Sequence, residues 1–473
     1  MFAKLTLNAD QIKGLMIEDI QVVKDLVNVF NAHAPSNSMK EKYYEGNVTL
    51  NDVNLGLALP SDNALKNLRI GCDWGAKTVD VLASRSVFDG FVSGNGEISD
   101  VMEQIADDNK LVYEYNKACR DELKYGCTFV TLSADDNIGC RIRFHSPRTA
   151  SALWDGVNGR IRAGLSIVDT VMDETDKSWR PRVVIIYLGD KNIILENNGG
   201  WTATYEMNSL NVPMMVPMVW NATAMKPFGR SRLKKPVRAL IDGYVRTIAN
   251  ATIGLEFSTA PQKYLMGITD EQYDALVSKK FQQYIGSVLL ATSNPETGEK
   301  PTFGQLPQGN ISSHVEMMRL LATQFSAATG LSVTDTGVVN NANPTSSDAI
   351  LAQTQTLVTL AEQLNAGNGD SLKAIARMAV AIAENKTLDD LTDEEMDVVA
   401  HFKNPAMPSV SVTADAAIKI SSSRQGFAST DVFLEMVGFG QADIRRIKAQ
   451  EQRARGQRVL EELNEQNSTI GMD

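Results

Sequence analysis

Histidine and cysteine are scarce in this sequence, four of each in 473 residues. Neither is spaced for chemistry. Cys72, Cys119, Cys127 and Cys140 include no C-x-x-C pair and no cysteine–histidine spacing of the kind that holds zinc. Buried free thiols are the expected state. His33, His145, His314 and His401 lie far apart, which argues against a metal or catalytic cluster. The hydrolase strings G-x-S-x-G and H-E-x-x-H do not occur. No apolar run approaches the ~18–20 residues that span a bilayer. A secretory pattern is also missing: Lys4 is the only basic residue ahead of Asp10, and the acidic Glu18 and Asp19 follow. A cytoplasmic origin is the expectation. No fixed-period repeat is found.

Positive charge is short as well. Lys and Arg number 46 against 57 Asp and Glu, a net charge of −11. A protein that grips nucleic acid over its whole surface does so by neutralising phosphates, so that class is disfavoured. A channel that lets DNA slide is not, because weak attraction suits sliding. What is present is the balance of a folded protein, 43% hydrophobic and 22% charged. The length allows two or three domains. Gly71-Cys72-Asp73-Trp74-Gly75-Ala76-Lys77-Thr78 comes close to a phosphate-binding loop. Ala76 stands where the pattern needs glycine, so the segment reads as the start of a helix.

Periodicity organises the chain. Residues ~11–30 read as an amphipathic helix, with Ile12, Leu15, Met16, Ile20, Val23, Leu26, Val27 and Phe30 on one stripe. A mixed region follows, with helices near 73–86 and 99–125. Its β-like runs are Thr128–Leu132, Arg141–Phe144, Val183–Leu188, Asn192–Leu195 and Met214–Trp220. From Ser231 to about Phe257 the pattern is helical, with Pro236 in the first turn or at a kink. A compact segment at ~258–309 has β-like Lys263–Gly267 and Tyr284–Ala291, a helical run at Glu271–Lys280 and a turn at 294–298. Ser313-His314-Val315-Glu316 fits a capping box for a second helix that stops at Gly330. A polar loop, Ser332 to Thr345, carries one acidic and no basic side chain. A long helix then reaches about Asn385, and Gly367-Asn368-Gly369 predicts a kink or break in it. A charged helix at ~441–465 closes the chain.

Several strings resemble the portal proteins of tailed, siphovirus-type bacteriophages. The first run is Pro227-Phe228-Gly229-Arg230-Ser231, then Arg238, Leu240, Asp242, Arg246-Thr247, Glu256, Pro261-Gln262 and Gly267. The second is Phe303-Gly304-Gln305-Leu306-Pro307, Phe325, Thr329-Gly330-Leu331 and Asn343 through Ile350. Weaker matches are Tyr43-Tyr44-Glu45-Gly46, Val79-Asp80, Asp89-Gly90-Phe91, Gly126 and Ser146-Pro147. Their order along residues 40–365 carries the resemblance, since no single string is decisive.

The resemblance implies an α+β portal fold: a mixed α/β wing, a two-helix stem, a small β-containing clip, a long kinked wing helix and an α-helical crown. On this sequence the parts fall at 1–229 (wing), 230–257 (first stem helix), 258–309 (clip), 310–330 (second stem helix), 331–345 (tunnel loop), 346–425 (long helix and remaining wing) and 426–473 (crown). It implies a non-enzymatic ring of about twelve copies at one capsid vertex, assembled in the host cytoplasm and carried in the virion. Double-stranded DNA passes through such a ring. Its other partners are the terminase packaging motor, major capsid and scaffolding proteins, and a head–tail adaptor. No cofactor, metal or membrane is implied.

In the tunnel loop, Asp335, Asn340, Asn341 and Asn343 are the residues placed to touch DNA by hydrogen bonds without gripping phosphate. Two basic clusters are candidates for DNA or inter-subunit contact. One is Lys226, Arg230, Arg232, Lys234, Lys235 and Arg238 at the start of the first stem helix. The other includes Arg445, Arg446 and Arg453 on the last helix. Two other readings stay open: a minor capsid or head-completion protein, and a nucleotide hydrolase or nuclease that would need Lys77.

Overall fold

The computed structural model describes residues 4–48, 70–93, 100–175, 177–259, 263–267, 298, 300, 302–305, 311–337, 347–406, 410–424 and 426–470. The chain forms two compact units. Met1–Glu45, Gly75–Lys234 and Pro344–Asp473 make the first; Gly46–Trp74 and Lys235–Asn343 make the second.

The elements in order begin with α1 (Ile20–Tyr44), α2 (Trp74–Ala83), β1 (Phe88–Val92), α3 (Asp100–Asp108) and α4 (Leu111–Tyr125). Eight strands follow: β2 (Cys127–Asp135), β3 (Gly139–His145), β4 (Ala150–Asp155), β5 (Arg160–Met172), β6 (Trp179–Tyr187), β7 (Lys191–Asn197), β8 (Trp201–Met207) and β9 (Met215–Val219). Next are α5 (Lys235–Thr259), β10 (Lys263–Met266), β11 (Thr302–Gln305) and α6 (Ser312–Thr329). The last are α7 (Ser347–Ala383), α8 (Asp393–Met396), β12 (Val399–Phe402), α9 (Val410–Ser423), α10 (Asp431–Val437) and α11 (Gln441–Ile470). Among the described residues helix outweighs strand. The paired strands are antiparallel, so the class is α+β.

The first unit holds a five-stranded sheet in the order β4-β5-β6-β7-β8 and a three-stranded sheet in the order β3-β2-β9. One face of the five-stranded sheet packs against α1. Val23, Leu26, Val27 and Phe30 meet Leu165, Ile167, Val184, Ile186, Ile193 and Leu195 there. The other face of β5 is closed at Gly164, where an added Cβ would lie 2.4 Å from Met215 Sδ of β9. Ile161, Ala163, Leu165 and Ile167 alternate with Arg162, Gly164 and Ser166 along β5, and from Ala163 to Ile167 both faces are buried. The long helix α7 packs across β2, β3 and β9, and reaches β12, which pairs with β1.

Several expectations are corrected. The first helix does not cover 11–19. Leu5, Leu7, Ala9 and Ile12 are buried as an irregular segment beside β8, where Lys13 N donates to Trp201 O at 3.0 Å and Ala203 N to Lys13 O at 2.8 Å. Of the expected stripe, Ile12 is buried and Leu15 half-buried against the sheet and α1, while Met16 is 47% exposed. The helix starts at Ile20 and continues through Pro35 to Tyr44. A proline in a helix interior costs roughly 3 kcal/mol. Tertiary bonds hold the second half: Asn37 Nδ2 to Pro147 O, Lys40 Nζ to Tyr125 O and Tyr44 OH to Asp80. The 99–125 stretch is two helices, because Lys110 takes a left-handed φ of 51° between them. The capping box at Ser313–Glu316 does not form; Ile311 is the N-cap and makes no side-chain cap.

The Gly367-Asn368-Gly369 string does not break α7, which is one helix of 37 residues. Two glycines cost roughly 2 kcal/mol of helix propensity. Burial offsets this: Leu364, Leu372, Ile375, Ala376 and Ala379 are in the core, and Asn368 is fully buried with them. The predicted runs at 271–280 and 284–291 lie outside the described residues. All four cysteines are free and buried. No helix among the described residues is long and apolar enough to cross a membrane.

Candidate functional site

The second unit is organised by an antiparallel helix pair. An added Cβ on Gly243 of α5 would touch Leu321 of α6 at 3.4 Å. Thr247 and Asn250, further along α5, share a hollow with Ser313, His314 and Met317, earlier on α6. The two helices therefore run in opposite directions. Beyond them, β10 and β11 form a short ladder from Lys263↔Gln305 to Met266↔Thr302. Val237, Ile241, Val245 and Ala249 supply the buried stripe of α5, and Leu321, Ala322 and Phe325 that of α6. Pro236 is the second residue of α5, where its missing N–H is harmless. Gly330 ends α6 in the left-handed region at φ 75°, donating to Ser326 O.

Trp74 pins this pair. Its ring stacks on Tyr244 at 4.0 Å and 25°, and lies against Phe325 at 4.5 Å. Its Nε1 donates to Thr336 O at 3.1 Å. One side chain thus fixes α5, α6 and the turn that follows α6. In the sequence Trp74 drew notice only within the near phosphate-binding string. That string begins α2 here, and Lys77 is exposed.

Asp335 sits in the turn after α6. Its Oδ2 accepts from Ser332 N at 3.0 Å and Ser332 Oγ at 2.8 Å. The carboxylate shapes its own turn. Asn340, Asn341 and Asn343 lie outside the described residues.

The basic residues divide sharply. Lys226, Arg230, Lys234 and Lys235 are exposed and Arg238 is half-buried. Arg232 is 7% exposed. Its Nε donates to Thr78 O at 2.6 Å, its backbone N to Leu123 O at 2.9 Å, and its guanidinium stands over the Trp220 ring at 6.0 Å. Burial lowers its pKa to about 10, which keeps it charged at neutral pH. Arg232 is therefore a core residue of the first unit and not a surface contact, which corrects the sequence assignment. A cation this buried cannot be removed cheaply. Arg232→Ala is expected to cost about 3 kcal/mol or more. Lys226→Ala and Lys234→Ala should stay within about 0.5 kcal/mol. Urea midpoints of the three variants test this, and equal midpoints would remove the distinction.

The residues around Arg232 explain why the Pro227–Ser231 string looks like a signature. Phe228 meets Phe129 and Trp154 edge-on, each at 5.7 Å. Ser231 Oγ donates to Lys124 O at 2.5 Å and accepts from Leu233 N at 2.9 Å. The string is a packed crossing of the chain ahead of α5. On the last helix, Arg445 pairs with Glu103, and Arg446 lies 3.7 Å from Asp443. Arg453 is exposed, as are its neighbours from 451 to 460.

The family model described as "Phage portal protein, SPP1 Gp6-like" matches residues 24–457. The chain belongs to that family. The match spans both units, so the portal assignment covers α1 through most of α11. Among solved structures, the portal chain is similar to one in the virion of a native gene transfer agent particle. The two are 11% identical, with 77% of this chain and 89% of that one covered and a TM-score of 0.43. It is also similar to chains in the neck of the native particle computed with C12 symmetry (11% identity, 77% and 89% covered, TM-score 0.44). The neck of the empty particle computed with C6 symmetry gives 11% identity, 77% and 90% covered, and a TM-score of 0.44. No curated protein matches the portal chain significantly.

Proposed function

We propose that this portal-family chain is one subunit of a closed ring at a capsid vertex, and that double-stranded DNA passes through the ring. The family match over residues 24–457 carries this reading. In it, α5 and α6 are the stem, the segment 258–309 between them is the clip, 331–345 is the tunnel loop and α7 is the long wing helix. The remainder of the first unit is wing, and 426–473 is the crown.

The stem supports the assignment chemically. Met317 and Leu320 of α6, three residues apart on one side of the helix, are exposed at 44% and 52%. An apolar helix face left open by its own chain is buried when neighbouring copies close a ring through repeated heterologous contacts. The net charge of −11 and a loop without basic side chains from Ser332 to Thr345 suit passage rather than grip. Among the described residues, Lys226, Arg230, Lys234, Lys235 and Arg453 are exposed cations that can meet phosphate or a neighbouring subunit. Docking of a packaging motor before, and an adaptor after, filling belongs to the same reading.

Electron microscopy of the purified full chain tests it. Class averages are expected to show rings with a central channel wide enough for a duplex. A compact monomer at every concentration would overturn the proposal.

A further inference from the structure

The Gly367-Asn368-Gly369 string places one amide deep in the first unit. Asn368 of α7 and Glu122 of α4 are both 0% exposed. Asn368 Nδ2 donates to Tyr115 OH at 2.9 Å and to Glu122 Oε2 at 2.8 Å. The remaining hydrogen bonds have a fixed direction. Ser86 Oγ donates to Asn365 Oδ1 at 2.6 Å, and that oxygen can only accept. The Tyr115 hydroxyl must then donate to Ser86 Oγ, at 2.7 Å, and accept from Asn368. Asn368 therefore has its nitrogen where the network needs a donor.

Two buried atoms are left over, Glu122 Oε1 and Asn368 Oδ1. As an ionised carboxylate and an amide carbonyl, both are acceptors, and two unmet acceptors in one core are costly. They also belong to the two groups already joined by the Nδ2–Oε2 bond. One proton satisfies both.

We propose that Glu122 is held as a neutral carboxylic acid and closes a cyclic acid–amide pair with Asn368, in which Nδ2 donates to Oε2 and the Oε1 hydroxyl donates to Oδ1. The pair clamps α7 to α4 at the glycine-flanked position.

The electrostatics agree. Burial raises the Glu122 carboxyl to about 8, and the Asn368 hydrogen bond opposes that only in part. The titratable neighbours are Tyr115 and Cys119 on α4 and Cys127 on β2, and burial raises all three, Cys127 to about 12. They are neutral at neutral pH. Lys40 acts on Cys127 and Arg120 on Cys119, while desolvation and Asn368 are what bear on Glu122. Asn365 and Asn368, the α7 groups in the network, carry no charge. No cation compensates an anion here.

The pH dependence follows. The folded-state value, about 8, lies above the ordinary 4.5. The fold binds this proton more tightly than the unfolded chain does. Its contribution is complete below about 4.5, falls about tenfold in the folding constant per pH unit up to about 8, and is gone above.

Glu122→Gln replaces the acid hydroxyl with an amide donor that cannot ionise. On the full chain, the ratio of the variant's folding constant to that of the natural chain is expected to rise about tenfold per pH unit between about pH 5 and 8, then level. A ratio flat across that range overturns the proposal. Infrared spectra with labelled glutamate test the pairing separately. The natural chain at pH 7 should show a protonated-carboxyl stretch that Glu122→Gln lacks and that moves to higher frequency in Asn368→Leu. A band that stays put in Asn368→Leu rejects the pair. Should that variant not fold, the band's absence from the natural chain at pH 7 rejects the neutral acid.

Discussion

Gly229→Ala is expected to abolish stable folding of the first unit, at a cost above about 4 kcal/mol. Gly229 has a φ of +66°, a left-handed conformation that costs an alanine about 1 kcal/mol before any contact is counted. The contacts are worse. An added Cβ would lie 2.2 Å from Trp220 O, 2.7 Å from Gly126 O and 2.7 Å from Val219 Cγ1. Two of these atoms are backbone and are held by a ladder. Trp220 N donates to Gly126 O at 3.0 Å, and Arg230 N donates to Trp220 O at 3.0 Å. Neither strand can move away without breaking the pairing of β2 with β9. Gly199→Ala is the control. Its φ is +86° but nothing lies within 4 Å of an added Cβ, so it should lose only about 1 kcal/mol. Urea midpoints of the two variants decide the matter. Similar midpoints would show that the crossing ahead of α5 yields more easily than its bonds imply.

Trp74→Ala should loosen the second unit by about 3–5 kcal/mol, because it removes a 3%-exposed indole with two aromatic neighbours. The loss is local. Amide hydrogen exchange in α5 around Tyr244 and in α6 around Phe325 is expected to accelerate more than ~100-fold. Exchange in β6 and β7, at the centre of the five-stranded sheet, should hold. The turn carrying Asp335 and Thr336 should also open, since the Nε1 bond to Thr336 O at 3.1 Å ties it to the helix pair. Equal acceleration in the sheet would mean that Trp74 supports the whole chain. No acceleration anywhere would mean that Tyr244 and Phe325 close over the gap. In the ring reading, the first outcome predicts that the same variant assembles poorly at its stem.

How much of this was legible beforehand depended on which face each element buries. The stripes of α5 and α6 could be read because each buries one side, so Val237, Ile241 and Val245 recur at helical spacing. The end of α6 at Gly330 was legible from backbone sterics alone. β5 went unread although Ile161, Ala163, Leu165 and Ile167 alternate with Arg162, Gly164 and Ser166, because glycine and alanine within the run dilute the β-branched signal of a strand. The stripe at 11–19 misled because apolar spacing does not say whether a helix or a sheet edge does the burying. Arg232 looked like its basic neighbours because charge is visible in a sequence and burial is not.

Local chemistry therefore carried the portal resemblance, the α+β class and the apolar stripes of α5 and α6. These follow from the order of residues along the chain. The tertiary structure alone decided that α7 is unbroken at Gly367–Gly369, that Trp74 fixes the helix pair, that Arg232 is core, and that Glu122 faces Asn368. The reason is common to all four. Each depends on contacts between residues far apart in sequence, and the free energy of burial outweighs local propensity wherever the two disagree.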